Sequence, residues 1–178
     1  MKNIFLALFV ALSLVSLGQE NIIPVNEKTG NAEYTNVIEV ANATQTQLYN
    51  RALIWINEFY ANPQGTIKTQ DSANSIEGKA RFRVKLTDKK GRTIGQSNVN
   101  YNFKIELKDG KYRYVVDRIN WQQPSYYDVS RWEKKDDPRY EEEKYPAYVE
   151  QTAAYFEDML NKLNVAMEKE EEVESSDW

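Results

Sequence analysis

Between Ile76 and Trp121 apolar and polar residues alternate almost without a break, and this pattern constrains the fold more than any other feature. In Ile76–Leu86, the residues Ile76, Ala80, Phe82, Val84 and Leu86 fall on one side. Glu77, Lys79, Arg81, Arg83 and Lys85 fall on the other. In Ile94–Leu107, Val99, Tyr101, Phe103, Ile105 and Leu107 oppose Asn98, Asn100, Asn102, Lys104 and Glu106. Successive side chains of a strand point to opposite faces, so a period of two means a sheet with one buried and one polar face. Asp88-Lys89-Lys90-Gly91-Arg92 reads as a polar turn. Asp109-Gly110 reads as a two-residue hairpin turn with both residues at positive φ. Across it Leu107 faces Tyr112, Ile105 faces Tyr114 and Phe103 faces Val116. Continued unchanged, that register would turn Arg118 inward and Ile119 and Trp121 outward. One extra residue, a bulge near Val116–Arg118, restores the faces.

A one-sided sheet needs a cover, and two segments have the period of a helix. Thr44 and Gln47 form a capping box at the head of the run to Tyr60. Leu48, Ala52, Trp55, Ile56 and Phe59 share a face, widened by Tyr49, Leu53 and Tyr60, with Asn50, Arg51, Asn57 and Glu58 opposite. Ile54 stands alone on the polar side. Asn62-Pro63-Gln64-Gly65 ends this helix. A second helix is expected from Tyr148, with Val149, Ala153, Phe156, Leu160, Leu163 and Met167 as its apolar stripe. The remaining pieces are an extended Ile22–Val25, a turn over Asn26–Asn31, a first strand carrying Tyr34, Ile38 and Val40, and a weak strand over Gly65–Gln70. Residues 122–144 read as an irregular crossing without a clear period. There is no internal repeat.

The first eighteen residues read as a secretory leader rather than as part of the fold. Met1-Lys2-Asn3 is the basic start, Ile4–Leu17 the apolar run, and Ser16-Leu17-Gly18 supplies small residues before a cleavage point at Gln19. The run is too short for a comfortable membrane span. The chain has no cysteine, which excludes disulfides and a cysteine-linked lipid anchor, and no histidine, which removes histidine-based nucleophile systems and the usual zinc sites. The expected mature protein is periplasmic or secreted, without a membrane span, as one domain over 19–167. Residues 168–178, with 6 acidic side chains and 1 lysine, are expected to be a disordered acidic tail. Charge is segregated: residues 76–118 hold 12 basic and 5 acidic residues, and residues 122–178 hold 7 and 16.

Several runs resemble a family of secreted bacterial proteins classed as a domain of unknown function with a TATA-binding-protein-like (TBP-like) fold. They are Pro24-Val25 through Thr29-Gly30 and Tyr34, then Leu48-Tyr49-x-Arg51-Ala52-x-x-Trp55, Gly78, and Asp109-Gly110-Lys111-Tyr112-Arg113-Tyr114. The resemblance covers roughly residues 22–121 and the last helix. It implies an α+β fold, a curved antiparallel sheet of about five strands with two helices packed on one face (β-α-β-β-β-β-α). It implies no activity and no site residues.

Candidate sites come from the residues themselves. The outward row Lys79, Arg81, Arg83 and Lys85, with Lys104 and Arg113 on neighbouring strands and the amides Asn98, Asn100 and Asn102, would make a basic face able to hold anionic groups or sugar hydroxyls. The plain alternative is a solvated face. The rings Trp121, Tyr126, Tyr127, Trp132 and Tyr140 suit stacking on a carbohydrate or a protein contact. Alternatively, they fold back over the first helix and cover Ile54. Asp136-Asp137 and Glu141-Glu142-Glu143 lack the spacing of a calcium loop and read as a solvated charge run. No cofactor is expected, nor a nucleic-acid role, because fold alone does not carry function.

The leading expectation is a non-enzymatic binding or interaction module acting through the open sheet face and the aromatic crossing. Its partner would be an anionic small molecule, a glycan or an envelope protein. A structural or assembly protein docking through 122–144 and the tail is the alternative, and a carboxylate-based hydrolase a lesser one. Two readings of the tail stand side by side: it only solubilises the chain, or Glu168–Asp177 transiently covers the Lys79–Lys85 row. N-terminal sequencing of the exported protein should return Gln19 as its first residue. A mature chain retaining Ile4–Leu17 would overturn the extracytoplasmic reading.

Overall fold

A computed structural model describes residues 21–71 and 74–169. The expected leader and its cleavage point lie outside them, as does the acidic tail beyond Lys169. The strands are β1 (Tyr34–Glu39), β2 (Ile67–Asp71), β3 (Ser75–Thr87), β4 (Thr93–Lys108) and β5 (Lys111–Trp121). The helices are α1 (Gln45–Phe59), the single turn α2 (Pro63–Thr66) and α3 (Tyr145–Glu168). The strands form one antiparallel sheet in the order β1-β5-β4-β3-β2. α1 and α3 pack against each other and against β3, β4 and β5 on one face.

Alternation became sheet as expected. Leu107 pairs with Tyr112, Ile105 with Tyr114 and Phe103 with Val116. The bulge also forms: Asn102 pairs with Asp117 and Asn100 with Asn120, so Arg118 and Ile119 together face Tyr101 alone. Arg118 takes a left-handed φ of 48°, and Ile119 is thereby returned to the core, where it is fully buried. The hairpin turn differs from expectation. Gly110 has a φ of 74°, but Asp109 is not in the left-handed region. The carboxylate of Asp109 instead accepts from the Gln45 amide at 2.7 Å, in the first turn of α1, where free N–H groups favour an anion.

The capping box of α1 is present. Thr44 Oγ1 accepts from the Gln47 amide and Gln47 Oε1 from the Thr44 amide. Leu48, Ala52, Trp55 and Ile56 are buried, while Ile54 stays 54% exposed and uncovered. Arg51 corrects the expectation of a polar outer side. It is buried, and its Nη1 donates to the carbonyl oxygen of Met167 at 2.7 Å. The cation thus meets the negative end of α3, which periodicity within α1 does not disclose. The expected strand Gly65–Gln70 begins instead as helical turn α2, because Asn62 accepts from the Gly65 amide and Pro63 fits a first helical position. α3 begins at Tyr145, earlier than Tyr148, and runs to Glu168, so Glu168 belongs to the helix.

Gly78 has a steric reason to be glycine. A Cβ there would lie 2.3 Å from Cζ of Phe103 and 3.0 Å from the carbonyl oxygen of Thr66. Gly78→Ala should therefore destabilise by about 1–3 kcal/mol through overpacking, read as a shift of the denaturant midpoint. An unchanged midpoint would show that Phe103 moves aside freely.

Candidate functional site

The face of the sheet turned away from α1 and α3 carries the candidate residues, and cross-strand pairing divides it in two. Towards the β4–β5 hairpin, Glu77 stands beside Lys104 on β4, and Glu106 beside Arg113 on β5. Lys104 Nζ lies 3.0 Å from Glu77 and 3.4 Å from Glu106, and Arg113 Nε lies 3.4 Å from Glu106. Hydrogen bonding to Glu77 holds the Lys104 ammonium above its ordinary pKa. Lys104 and Arg113, expected to belong to one basic face, are thus spoken for by carboxylates.

The other half is different. Lys79 pairs with Asn102, Arg81 with Asn100, Arg83 with Asn98 and Lys85 with Gln96. β5 and the residues after it add Asp117, Asn120 and Gln122. Asn120 pairs with Asn100, and the amide nitrogen of Asn98 donates to Gln122 at 2.8 Å. Lys79, Arg81, Arg83 and Lys85 are all exposed, and among the described residues none has a carboxylate partner. Alternate residues of a strand lie roughly 7 Å apart. Neighbouring cations at that spacing repel by only about 0.6 kcal/mol in water. The row is therefore tolerable when empty, and each anion that meets it is attracted by several charges at once. Asp117, on β5 beyond Asn102, is held above the usual carboxylate pKa by burial. A groove of about 730 Å³ borders this half, lined by Lys79, Arg81, Asn100, Asn102, Tyr60 and Lys68 among others.

The aromatic crossing does not present its rings. Tyr127 and Trp132 are fully buried, Trp121 and Tyr140 partly so. Trp132 packs against Trp121, Tyr145 and Tyr148 with centroids 6.3, 5.7 and 5.5 Å away. Trp121 also meets Tyr127 edge-on at 5.9 Å. Tyr126 is the ring left in water, 54% exposed. Its hydroxyl donates to Asp128, and burial and that carboxylate push its pKa up to about 12. The rings do fold back, but onto the end of β5 and the start of α3, not onto α1.

Residues 122–144 are correspondingly less irregular than expected. Asp128 caps a 3₁₀ turn, Val129–Glu133, and its Oδ1 accepts from the Ser130 and Ala32 amides. Glu133 accepts from the amides of Ile22 at 2.7 Å and Ile23 at 3.0 Å. Ion pairs join Asp137 to Arg131 and Arg139, and Lys144 to Glu141. Among the described residues no group of three or more acidic side chains is placed to hold a metal ion.

Two features carried no sequence signal. Tyr101, buried beneath the sheet, shares hydrogen bonds with Tyr60 at 3.1 Å and Tyr155 at 2.8 Å. Gln151 of α3 binds both backbone groups of Lys85. Both join residues far apart in the chain through side chains unremarkable in their own segments.

An open five-stranded antiparallel sheet with its helices on one face defines this as an α+β protein of the TBP-like fold. The family described as a domain of unknown function (DUF4468) with TBP-like fold matches residues 34–122, half of the chain, and the protein belongs to it. A crystal structure of a DUF4468 family protein from Bacteroides ovatus ATCC 8483 is similar at a TM-score of 0.65 and 16% identity, over 84% of this chain and 92% of that one. A TBP-like protein from Parabacteroides distasonis ATCC 8503 is similar at 0.67 and 14%, over 84% and 99%. At these identities the likeness is one of fold. No curated protein matches the chain. Among the described residues, no helix is long and apolar enough to cross a membrane.

If the ring cluster is structural, Trp132→Ala should cost about 3–5 kcal/mol of stability. Tyr126→Ala should cost about 1 kcal/mol, the worth of one hydrogen bond. Thermal or chemical melts that ranked the two equally would contradict the packing described.

Proposed function

We propose that the protein is an exported, non-enzymatic binding module whose open sheet face receives anionic groups. The observation that carries this reading is the row Lys79, Arg81, Arg83 and Lys85, exposed and without carboxylate partners among the described residues. The same strands place Lys104 and Arg113 against Glu77 and Glu106. Cations and acids are therefore matched on one half of the face and left unmatched on the other. The amides of Asn98, Asn100, Asn102, Asn120 and Gln122 beside the row offer donors and acceptors for the uncharged parts of a ligand. Trp121, Tyr127 and Trp132 are spent on internal packing, which leaves Tyr126 as the ring available at the border. Docking through the aromatic crossing is accordingly the weaker reading.

The test uses dextran sulfate as the anionic probe and neutral dextran as its control, with binding followed by calorimetry. The protein should bind the sulfated polymer alone, and the affinity should fall steeply between about 0.05 and 0.5 M salt as the charges are screened. The double variant Arg81→Gln/Arg83→Gln should lose roughly tenfold or more in affinity, a difference of about 1.4 kcal/mol, with an unchanged melting temperature. Equal binding by the variant, or no binding by the parent protein, would overturn the reading.

A further inference from the structure

We infer that the free edge of β3 between Lys79 and Lys85 takes an extended acidic peptide as a sixth strand. This rests on the reading that the basic half of the sheet is the working surface, and it names the partner. β3 runs from Ser75 to Thr87, but β2 pairs with it only as far as Gly78. At the other end Gln151 closes the edge. Its Nε2 donates to the carbonyl of Lys85 at 2.8 Å, and its Oε1 accepts from the Lys85 amide at 2.9 Å. A side-chain amide thus stands where the peptide unit of a neighbouring strand would stand. Backbone groups alternate sides along a strand. Those of Lys85 point off the sheet, so those of Arg83 and Arg81 do too. Among the described residues nothing hydrogen-bonds the outward N–H and C=O of these two arginines.

The side chains of the same residues select what can pair there. On the open face an added strand would run beside Lys79, Arg81 and Arg83, with the Lys85 side chain at its end. Acidic side chains at every second position would sit directly across from cations, which stabilises antiparallel pairs. On the other face the intervening side chains would meet Ala80 and Phe82, both half-buried. The Phe82 ring lies stacked on Tyr155 at 3.9 Å and offers an apolar surface. The groove beside Lys79 and Arg81 leaves room for the strand to leave the sheet past Tyr60 and Lys68. The fitting ligand is a peptide alternating acidic and small apolar residues. Main-chain hydrogen bonds would supply affinity, and the alternate side chains specificity. The charges also disfavour a second copy of this chain on the edge, because self-pairing would set cation against cation.

The experiment is a titration of the protein with the blocked peptide Glu-Val-Glu-Val-Glu-Val-Glu, followed by amide NMR and calorimetry. A second peptide is N-methylated at its two central glutamates, which removes main-chain donors and keeps every charge. We expect the parent peptide to bind, the Arg81 and Arg83 amides to become protected from exchange, and the N-methylated peptide to bind about tenfold more weakly or worse. Equal binding of the two peptides, or unprotected Arg81 and Arg83 amides, overturns the added strand. If dextran sulfate still binds in that case, the anion-binding face stands without it. If neither the peptide nor dextran sulfate binds, both readings fall. Protection of these amides in the free protein together with a dimeric sedimentation mass would assign the edge to a second copy and also overturn the proposal.

Discussion

One inserted residue in β5 determines how the two ends of the molecule join. Without the bulge at Arg118 and Ile119, the register set by the Asp109-Gly110 hairpin would carry Trp121 to the solvent side. With it, Ile119 enters the core and Trp121 turns toward Tyr127, Trp132 and Tyr145. The ring cluster ties the crossing to the start of α3, and so fixes where that helix lies over β3. The left-handed φ of Arg118 costs roughly 1–2 kcal/mol in a residue with a Cβ. Burying Ile119 and seating Trp121 among aromatic neighbours outweighs that, since full burial of one such side chain contributes about 1.5–3 kcal/mol.

Local periodicity made much of the fold legible. The alternation of β3 and β4, the stripe of α3 and the capping box of α1 are each written within one segment, and even the bulge could be placed because the faces conflict beyond Val116. The misreadings have a common physical origin in contacts between distant segments. Arg51 looks like a surface residue of α1 until the carbonyl of Met167 is brought to it. Asp109 looks like half of a left-handed turn, but its carboxylate is drawn to the Gln45 amide opening α1. Tyr127 and Trp132 look available until β5 and α3 close around them. At the candidate site, the basic row was legible from alternation, but the neutralisation of Lys104 and Arg113 was not. It depends on which acids the neighbouring strands bring alongside.

The residues that carry the family resemblance serve structure. Leu48, Arg51, Ala52 and Trp55 are buried at the junction of α1, α3 and the sheet. Gly78 makes way for Phe103, and Asp109-Gly110 docks the hairpin onto the head of α1. These structural positions are thus separate from the face that carries the row Lys79, Arg81, Arg83 and Lys85. Such a division lets one scaffold display different surfaces without repacking its interior.

The hydrogen bonds of Glu133 and Asp128 to the N-terminal segment bear on the order in which the chain is assembled. The amides of Ile22, Ile23 and Ala32 find their acceptors 111, 110 and 96 residues further along. As the polypeptide emerges from the ribosome, residues 21–32 must wait until the crossing has followed the whole sheet. Closing so long a loop is slow relative to forming hairpins and helices. The N-terminal end of the described fold is therefore among the last parts to be secured.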